Sequence, residues 1–128
     1  MSAKRKKRGP AINDLIEVME RLRAPDGCPW DREQDHKSIR FHAVEEVYEL
    51  IDAIEMDDDD EMLEECGDLL LQVVFHCQLA KERNAFDFEK AARSITDKLI
   101  RRHPHVFGDS DADNVDAVWA QWEKIKRE

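Results

Sequence analysis

Long apolar runs are missing from this chain. Leu69 to Leu71 and Val73 to Phe75 are interrupted by Gln72 and His76, and even Ala117 to Ala120 spans four residues, so no segment approaches the roughly 20 apolar residues that a membrane span requires. Glycine and proline are scarce, at four each, which excludes collagen-like, low-complexity and propeller-type chains. The shortage of β-branched residues favours helix over sheet. No strand-like alternation and no internal repeat is present. The three cysteines, Cys28, Cys66 and Cys77, form neither an even set nor a CxxC pair. The last two fall on one expected helix, about 16 Å apart and beyond disulfide reach. Reduced thiols in a cytoplasmic protein are the expectation. Residues 1–10 are basic, but the AINDLIEVMERL that follows is amphipathic, unlike the apolar region of a secretory signal.

What the chain has in abundance is charge, 39% of its 128 residues against the usual quarter. The net charge is −10, and Lys4 to Arg8 contribute five positive charges, so the body without them stands at −15. Such a body repels nucleic acid and free phosphate alike. Nucleic acid is therefore disfavoured as a partner, and an anion bound there is expected to bring a divalent cation. The expected organisation is a basic, disordered tail over 1–10 and one domain over 11–128.

Apolar periodicity predicts five helices. Ile12, Leu15, Ile16, Met19 and Leu22 share one face of the first. The turn-rich RAPDGCPWD opens a loop running to about Asp35. Ser38 is placed to cap a second helix, striped by Val44, Val47, Ile51 and Ile54 and ending in the acidic run Asp57 to Glu61. Those acids suit the start of a third helix, which runs to about Glu82. A fourth, about Phe88 to Arg102, carries Ile95 and Leu99 inward and ends in basic residues. After Pro104 and GDSDADN, a last helix, about Val115 to Lys126, holds Val118, Trp119, Trp122 and Ile125. The fold class is all-α. The third helix is apolar in nearly every direction over its second half, which predicts burial all round and a partner subunit, a homodimer at least.

Two acidic pairs stand out, Glu46 with Glu49 and Glu65 with Asp68, each spaced i, i+3 on one helix face. Glu46 and Asp68 lie equally far from Asp57, as do Glu49 and Glu65. If the second and third helices form an antiparallel hairpin turning there, the four carboxylates converge. Clustered carboxylates persist only with protons or cations, and magnesium, a hard ion that takes oxygen ligands, fits best. Spacing alone leaves a solvated acidic face equally open, since 30 acids in one chain produce such pairs by chance. Small residues, Ala53 and Gly67, would let the helices approach. A di-iron centre needs Glu-x-x-His on two helices; the one such pattern, Glu33 to His36, lies at a loop edge.

The ExxE of Glu46 to Glu49, the 15 intervening residues and the ExxD of Glu65 to Asp68 resemble the signature of the MazG family of all-α nucleoside triphosphate pyrophosphohydrolases. GCPWDREQ (27–34), EEVYEL (45–50), ECGDLLLQVVF (65–75), KLIRRHPHVF (98–107) and WEKIK (122–126) extend the likeness over nearly all of the chain after residue 10. The resemblance implies hydrolysis of a nucleoside triphosphate to monophosphate and pyrophosphate with magnesium, manganese being able to substitute. It also implies a helical bundle assembled as a homodimer or homotetramer, with the site near the interface. Glu46, Glu49, Glu65 and Asp68 would be catalytic metal ligands, with Glu49 or Glu45 taking the proton of the attacking water. Lys98 and Arg102 would meet phosphates, and Trp122 with Lys126 would contact substrate. Many bacterial relatives carry two such domains, and some have a lysine where this chain has Glu61, so a catalytically silent oligomerisation or regulatory module is the alternative function.

The remaining conspicuous side chains have structural readings. Trp30 is expected to anchor its Gly/Pro loop and Trp119 to lie in the core. His103 and His105 lack regularly spaced partners for zinc and are read as loop residues. Cys66, which lies between acids inside the ExxD and is a poor candidate nucleophile, is read as a core residue.

Overall fold

The computed structural model describes residues 9–127, so residues 1–8 of the expected basic tail lie outside the described residues. Among the described residues there are seven helices and no strand: α1 (Ala11–Leu22), α2 (Pro29–Glu33), α3 (His42–Glu55), α4 (Asp59–Glu82), α5 (Phe88–Arg102), α6 (Pro104–Phe107) and α7 (Val115–Lys126). They fall into two compact units, one ending at Phe88 and the other beginning at Glu89.

In the first unit α1 and α3 both pack on α4. The core joins Met19 of α1, Ile39 of the α2–α3 connection and Val74, Phe75 and Leu79 of α4, with Ile12, Leu15, Ile16, Leu22, Leu71 and Phe88 around them. The face expected of the first helix is thus the face that is used. The segment after α1 doubles back tightly: the Cys28 amide donates to the Leu22 carbonyl over 2.8 Å. Gly27 is obligatory there, because a Cβ would stand 2.2 Å from that oxygen. What was expected to be loop up to Asp35 contains α2. Pro29 begins it at a position where proline's missing N–H costs nothing. Five residues are too few for periodicity to register.

Arg23 anchors this segment. Its guanidinium donates to the carbonyls of Asp31 (2.6 Å) and Gln34 (2.9 Å) and forms two bonds with Glu82 at the end of α4 (2.5 and 3.0 Å). Paired this way, the arginine is held above its ordinary pKa and Glu82 below its own.

Ser38 does not cap α3, which begins at His42 with Phe41 before it and no side-chain cap. Ser38 instead closes a turn with Asp35: its hydroxyl accepts from the Asp35 amide, and the Asp35 carboxylate accepts from the Ser38 amide, both over 2.8 Å. That local exchange competes with helix, as short polar side chains do. The next reversal is sharper. Asp57 adopts φ 54° between α3 and α4, and Asp58 caps α4 by accepting from the Glu61 amide over 3.1 Å. Asp59, Asp60 and Glu61 fill the first turn, where the helix dipole favours acids.

The expected burial of α4 all round is only partly met. Gln72, Val74, Phe75 and Cys77 to Ala80 are buried, but Leu70 and Val73 are exposed. Cys66 is exposed, contrary to its reading as core, and all three cysteines are unpaired. Gly67 does not serve close approach either, since a Cβ there meets open space; Ala53, 2% exposed, does lie in the contact. The stripe of α3 is likewise uncovered, with Val44, Val47, Ile51 and Ile54 each 40–49% exposed.

The second unit has no fully buried residue in its helices. Ile95 and Leu99, expected inward, are each 49% exposed, and Trp119, expected in the core, is 55% exposed. Periodicity identifies a stripe, but burial needs an element to cover it. Pro104–Phe107 form the short α6, and the histidines on either side of Pro104 both have structural partners. His103 Nδ1 lies 2.6 Å from the Leu99 carbonyl, and His105 Nδ1 lies 2.8 Å from the side-chain nitrogen of Gln121. Asn114 caps α7 by accepting from the Ala117 amide.

Two substitutions test this packing by urea denaturation. Ile39→Ala, at a fully enclosed site, is expected to lose about 2–5 kcal/mol. Asp58→Ala, which removes the α4 cap, is expected to lose about 1 kcal/mol. Equal losses would contradict the placement of Ile39 at the centre of the core.

Candidate metal centre

The reversal at Asp57 sends α4 back along α3, and residues counted outward from it come level. Glu46, Glu65 and Asp68 meet there, each offering a carboxylate oxygen such that all three lie within 4.8 Å of one another. Glu65 is 6% exposed, Glu46 half-buried and Asp68 exposed. Glu49 stands outside this group and is exposed, but its charge acts on Glu65. The same face of α4 continues into buried Gln72, Phe75 and Leu79, so the acids sit where solvent gives way to core.

Their electrostatics follow from that position. Burial pushes the Glu65 carboxyl up to about 7, and the charges of Glu49, Asp68, Glu46 and Glu61 add to the rise. Glu46 is raised as well, by burial first and then by Asp68, Glu49 and Glu45, with a hydrogen bond from Glu65 partly opposing the shift. One oxygen of Glu65, Oε2, is buried without a hydrogen-bond partner. A buried acceptor left unpaired is costly, and here it belongs to a carboxyl grouped with two others. An all-oxygen, anionic set with one buried, unsatisfied oxygen suits a hard divalent cation better than a thiolate- or imidazole-seeking metal. The cluster could hold such an ion.

Beside this cluster is an aromatic group that the sequence reading did not assemble. Trp30 of α2 lies parallel to His42, with centroids 6.2 Å apart, and edge-on to Phe75 at 6.5 Å. His42 precedes Glu46 by one turn of α3. Trp30 therefore anchors its segment, as expected, yet remains 52% exposed. Nothing in residue spacing signals the contact, because it depends on how α2 returns to α4.

The basic and aromatic residues singled out with the acids all belong to the second unit. Lys98 is exposed on α5, and Arg102 is half-buried at its end. Trp122 of α7 carries two cations on its ring, with Lys126 Nζ 4.9 Å and Arg102 Cζ 5.6 Å from the centroid. Cation–π attraction favours this grouping, which brings Arg102, Trp122 and Lys126 together and leaves Arg102 Nε buried without a partner.

The raised carboxyls make a signed prediction. The folded, metal-free protein binds the Glu65 proton more tightly than the unfolded chain, so its contribution to stability is full below about pH 4.5 and is lost as pH rises through about 7. Melting curves of wild type and Glu65→Gln, compared over that interval without metal, should therefore diverge in favour of the variant as pH rises. Parallel curves would contradict the buried, raised carboxyl.

With this geometry in view, comparison with known proteins is direct. Residues 34–107 match the MazG nucleotide pyrophosphohydrolase domain. The chain is similar to the nucleoside triphosphate pyrophosphohydrolase/pyrophosphatase MazG of Thermotoga maritima, 53% identical over 121 residues, covering 94% of this chain and 46% of that protein. It is also similar to the nucleoside triphosphate pyrophosphohydrolase of Escherichia coli, 52% identical over 118 residues, covering 91% of this chain and 45% of that protein. The chain thus spans about half the length of the curated relatives it matches. The crystal structure of a mazG-related protein from Thermotoga maritima superposes with a TM-score of 0.76 at 24% identity, covering 91% of this chain and 99% of that one, which shows the fold. By this domain match, which takes in all four acids of the two pairs, the chain belongs to the MazG family.

Proposed function

We propose that this chain is a magnesium-dependent nucleoside triphosphate pyrophosphohydrolase, releasing monophosphate and pyrophosphate by attack of water on the α-phosphorus. The observation that carries the reading is the meeting of Glu46, Glu65 and Asp68, with one Glu65 oxygen buried and unpaired, in a member of this family. These three residues would hold the cation, with Glu49 completing the set where Glu45 is the spare acid. A divalent cation held by them supplies Lewis-acid polarisation of phosphate oxygens and makes water more acidic. Glu49 or Glu45, both exposed on α3, accepts the proton of the attacking water, a general-base role. Lys98, Arg102 and Lys126 neutralise polyphosphate charge as it departs, and Trp122 contacts substrate. The acidic body would otherwise repel a triphosphate.

The uncovered stripe of α3, Val44, Val47, Ile51 and Ile54, and the exposed Leu63, Leu70 and Val73 of α4 support assembly into a homodimer or homotetramer, because contiguous apolar surface on this scale is rarely left to water. Light scattering at micromolar concentration is expected to show no stable monomer.

The activity is tested by incubating the protein with each triphosphate and magnesium and identifying the products. Pyrophosphate with monophosphate is expected; orthophosphate with diphosphate would move the attack to the γ-phosphorus, and no product would favour the silent module. Glu46→Gln, Glu65→Gln and Asp68→Asn should each reduce pyrophosphate release at least about a hundredfold, on the scale of a lost metal ligand or its support. Their apo stability should be equal or higher, since mutual repulsion is relieved. Glu17→Gln and Glu89→Gln, outside both pairs, should change neither quantity. A site variant that keeps both wild-type activity and magnesium-induced stabilisation would return the acids to a solvated face.

A further inference from the structure

His36, in the connection between α2 and α3, and His76, in the middle of α4, approach through their Nδ1 atoms at 2.8 Å. Their rings are parallel to within 3°, with centroids 5.1 Å apart. Rings stacked face to face would hold these nitrogens a full van der Waals layer apart. The short contact instead places the imidazoles end to end, nearly in one plane, joined by an N–H···N hydrogen bond. Arg83, which follows α4, donates from Nε to His36 Nε2 over 3.2 Å.

That third bond decides the protons. A guanidinium only donates, so His36 Nε2 must present a lone pair. Neutral His36 then carries its proton on Nδ1 and donates it to His76 Nδ1, leaving the proton of His76 on Nε2. The donors run in one direction, from Arg83 to His36 to His76, and the arrangement has one protonation state. A further proton on His36 would face the N–H of Arg83, and one on His76 would face the N–H of His36. Either sets donor against donor.

We propose that His36, His76 and Arg83 form a proton-gated latch, which pins the connection between α2 and α3 to α4 while both imidazoles are neutral and releases it when either ring takes a second proton. The pinned connection contains Ile39, which is fully buried, and leads directly into α3. Arg83 faces the pair from the end of α4 and opposes any added positive charge. Asp35 and Lys37 flank His36 on its own segment, the Asp35 carboxylate being held by the Ser38 amide. Arg23, which grips the neighbouring Gln34 carbonyl, is matched by its Glu82 partner. On α4, burial and the nearness of His36 both hold His76 below the ordinary imidazole range. The latched state therefore binds protons less tightly than the released state. Latching strengthens as pH rises and is lost as pH falls below about 6.5, the ordinary imidazole value.

Nitrogen-15 correlation spectra of the imidazole rings in the full chain test the proposal without reference to any activity. At pH 8 His36 is expected as the Nδ1–H tautomer and His76 as the Nε2–H tautomer. On acidification the opening of residues 35–40, read as amide exchange divided by its intrinsic rate, should rise by up to about tenfold per pH unit for each proton taken up. His76→Gln, which leaves His36 as the one ring able to take a second proton, should make that pH dependence shallower over the same interval. If that variant does not fold, Arg83→Leu, at an exposed position, should shift His36 toward the Nε2–H tautomer. The proposal is overturned if wild-type His36 is already the Nε2–H tautomer, or if both rings titrate independently near 6.5 with no change in exchange over 35–40.

Discussion

The pairing of α3 with α4 about the reversal at Asp57 is the contact on which the rest depends. It is made by a residue in left-handed backbone conformation, followed at once by an aspartate that caps the returning helix. Reversal within so few residues forces the two helices into contact, and Ala53 buries in that contact. The same register lays Glu65 and Asp68 against Glu46. A carboxyl brought this far out of water beside others stays protonated near neutrality or takes a cation. The fold thereby converts a packing register into an affinity for positive charge.

Around this pair the first unit is secured by polar groups as much as by its small core. Arg23 ties the carbonyls of the α2 segment to Glu82, so α1, α2 and the end of α4 are held by one side chain. The arginine side chain is only 11% exposed, and its five donors match the fixed carbonyls in a way that a lysine could not. Gly27 permits the chain to return close enough for this, since any side chain would strike the last carbonyls of α1. Trp30 is then delivered next to His42 and Phe75.

The helices and their acidic pairs were legible because they rest on local rules. Apolar spacing marks α1, α3, α4, α5 and α7, and the distances of Glu46 and Asp68 from Asp57 are equal in any straight hairpin. Short helices were not legible: α2 and α6 have five and four residues, less than two turns, and are carried by proline at their first positions. Ser38 was misread because a serine ahead of an apolar stripe can serve a cap or a turn, and Asp35 three residues earlier favours the turn. Cys66 was misread because an apolar residue type was given more weight than its place on a helix between two acids.

Amino-acid order by itself determined the helical class and the facing of the acids on each helix, since both rest on periodicity and spacing along one chain, and its motifs carried the resemblance to a family. Tertiary structure decided what meets across elements: the unpaired oxygen of Glu65, the two cations on Trp122, the His36–His76 contact, and the stripes of α3 and α5 that remain uncovered. The physical reason is that burial and pKa belong to an environment. A residue's neighbours in space, with the solvent they exclude, are fixed only when the helices take their places.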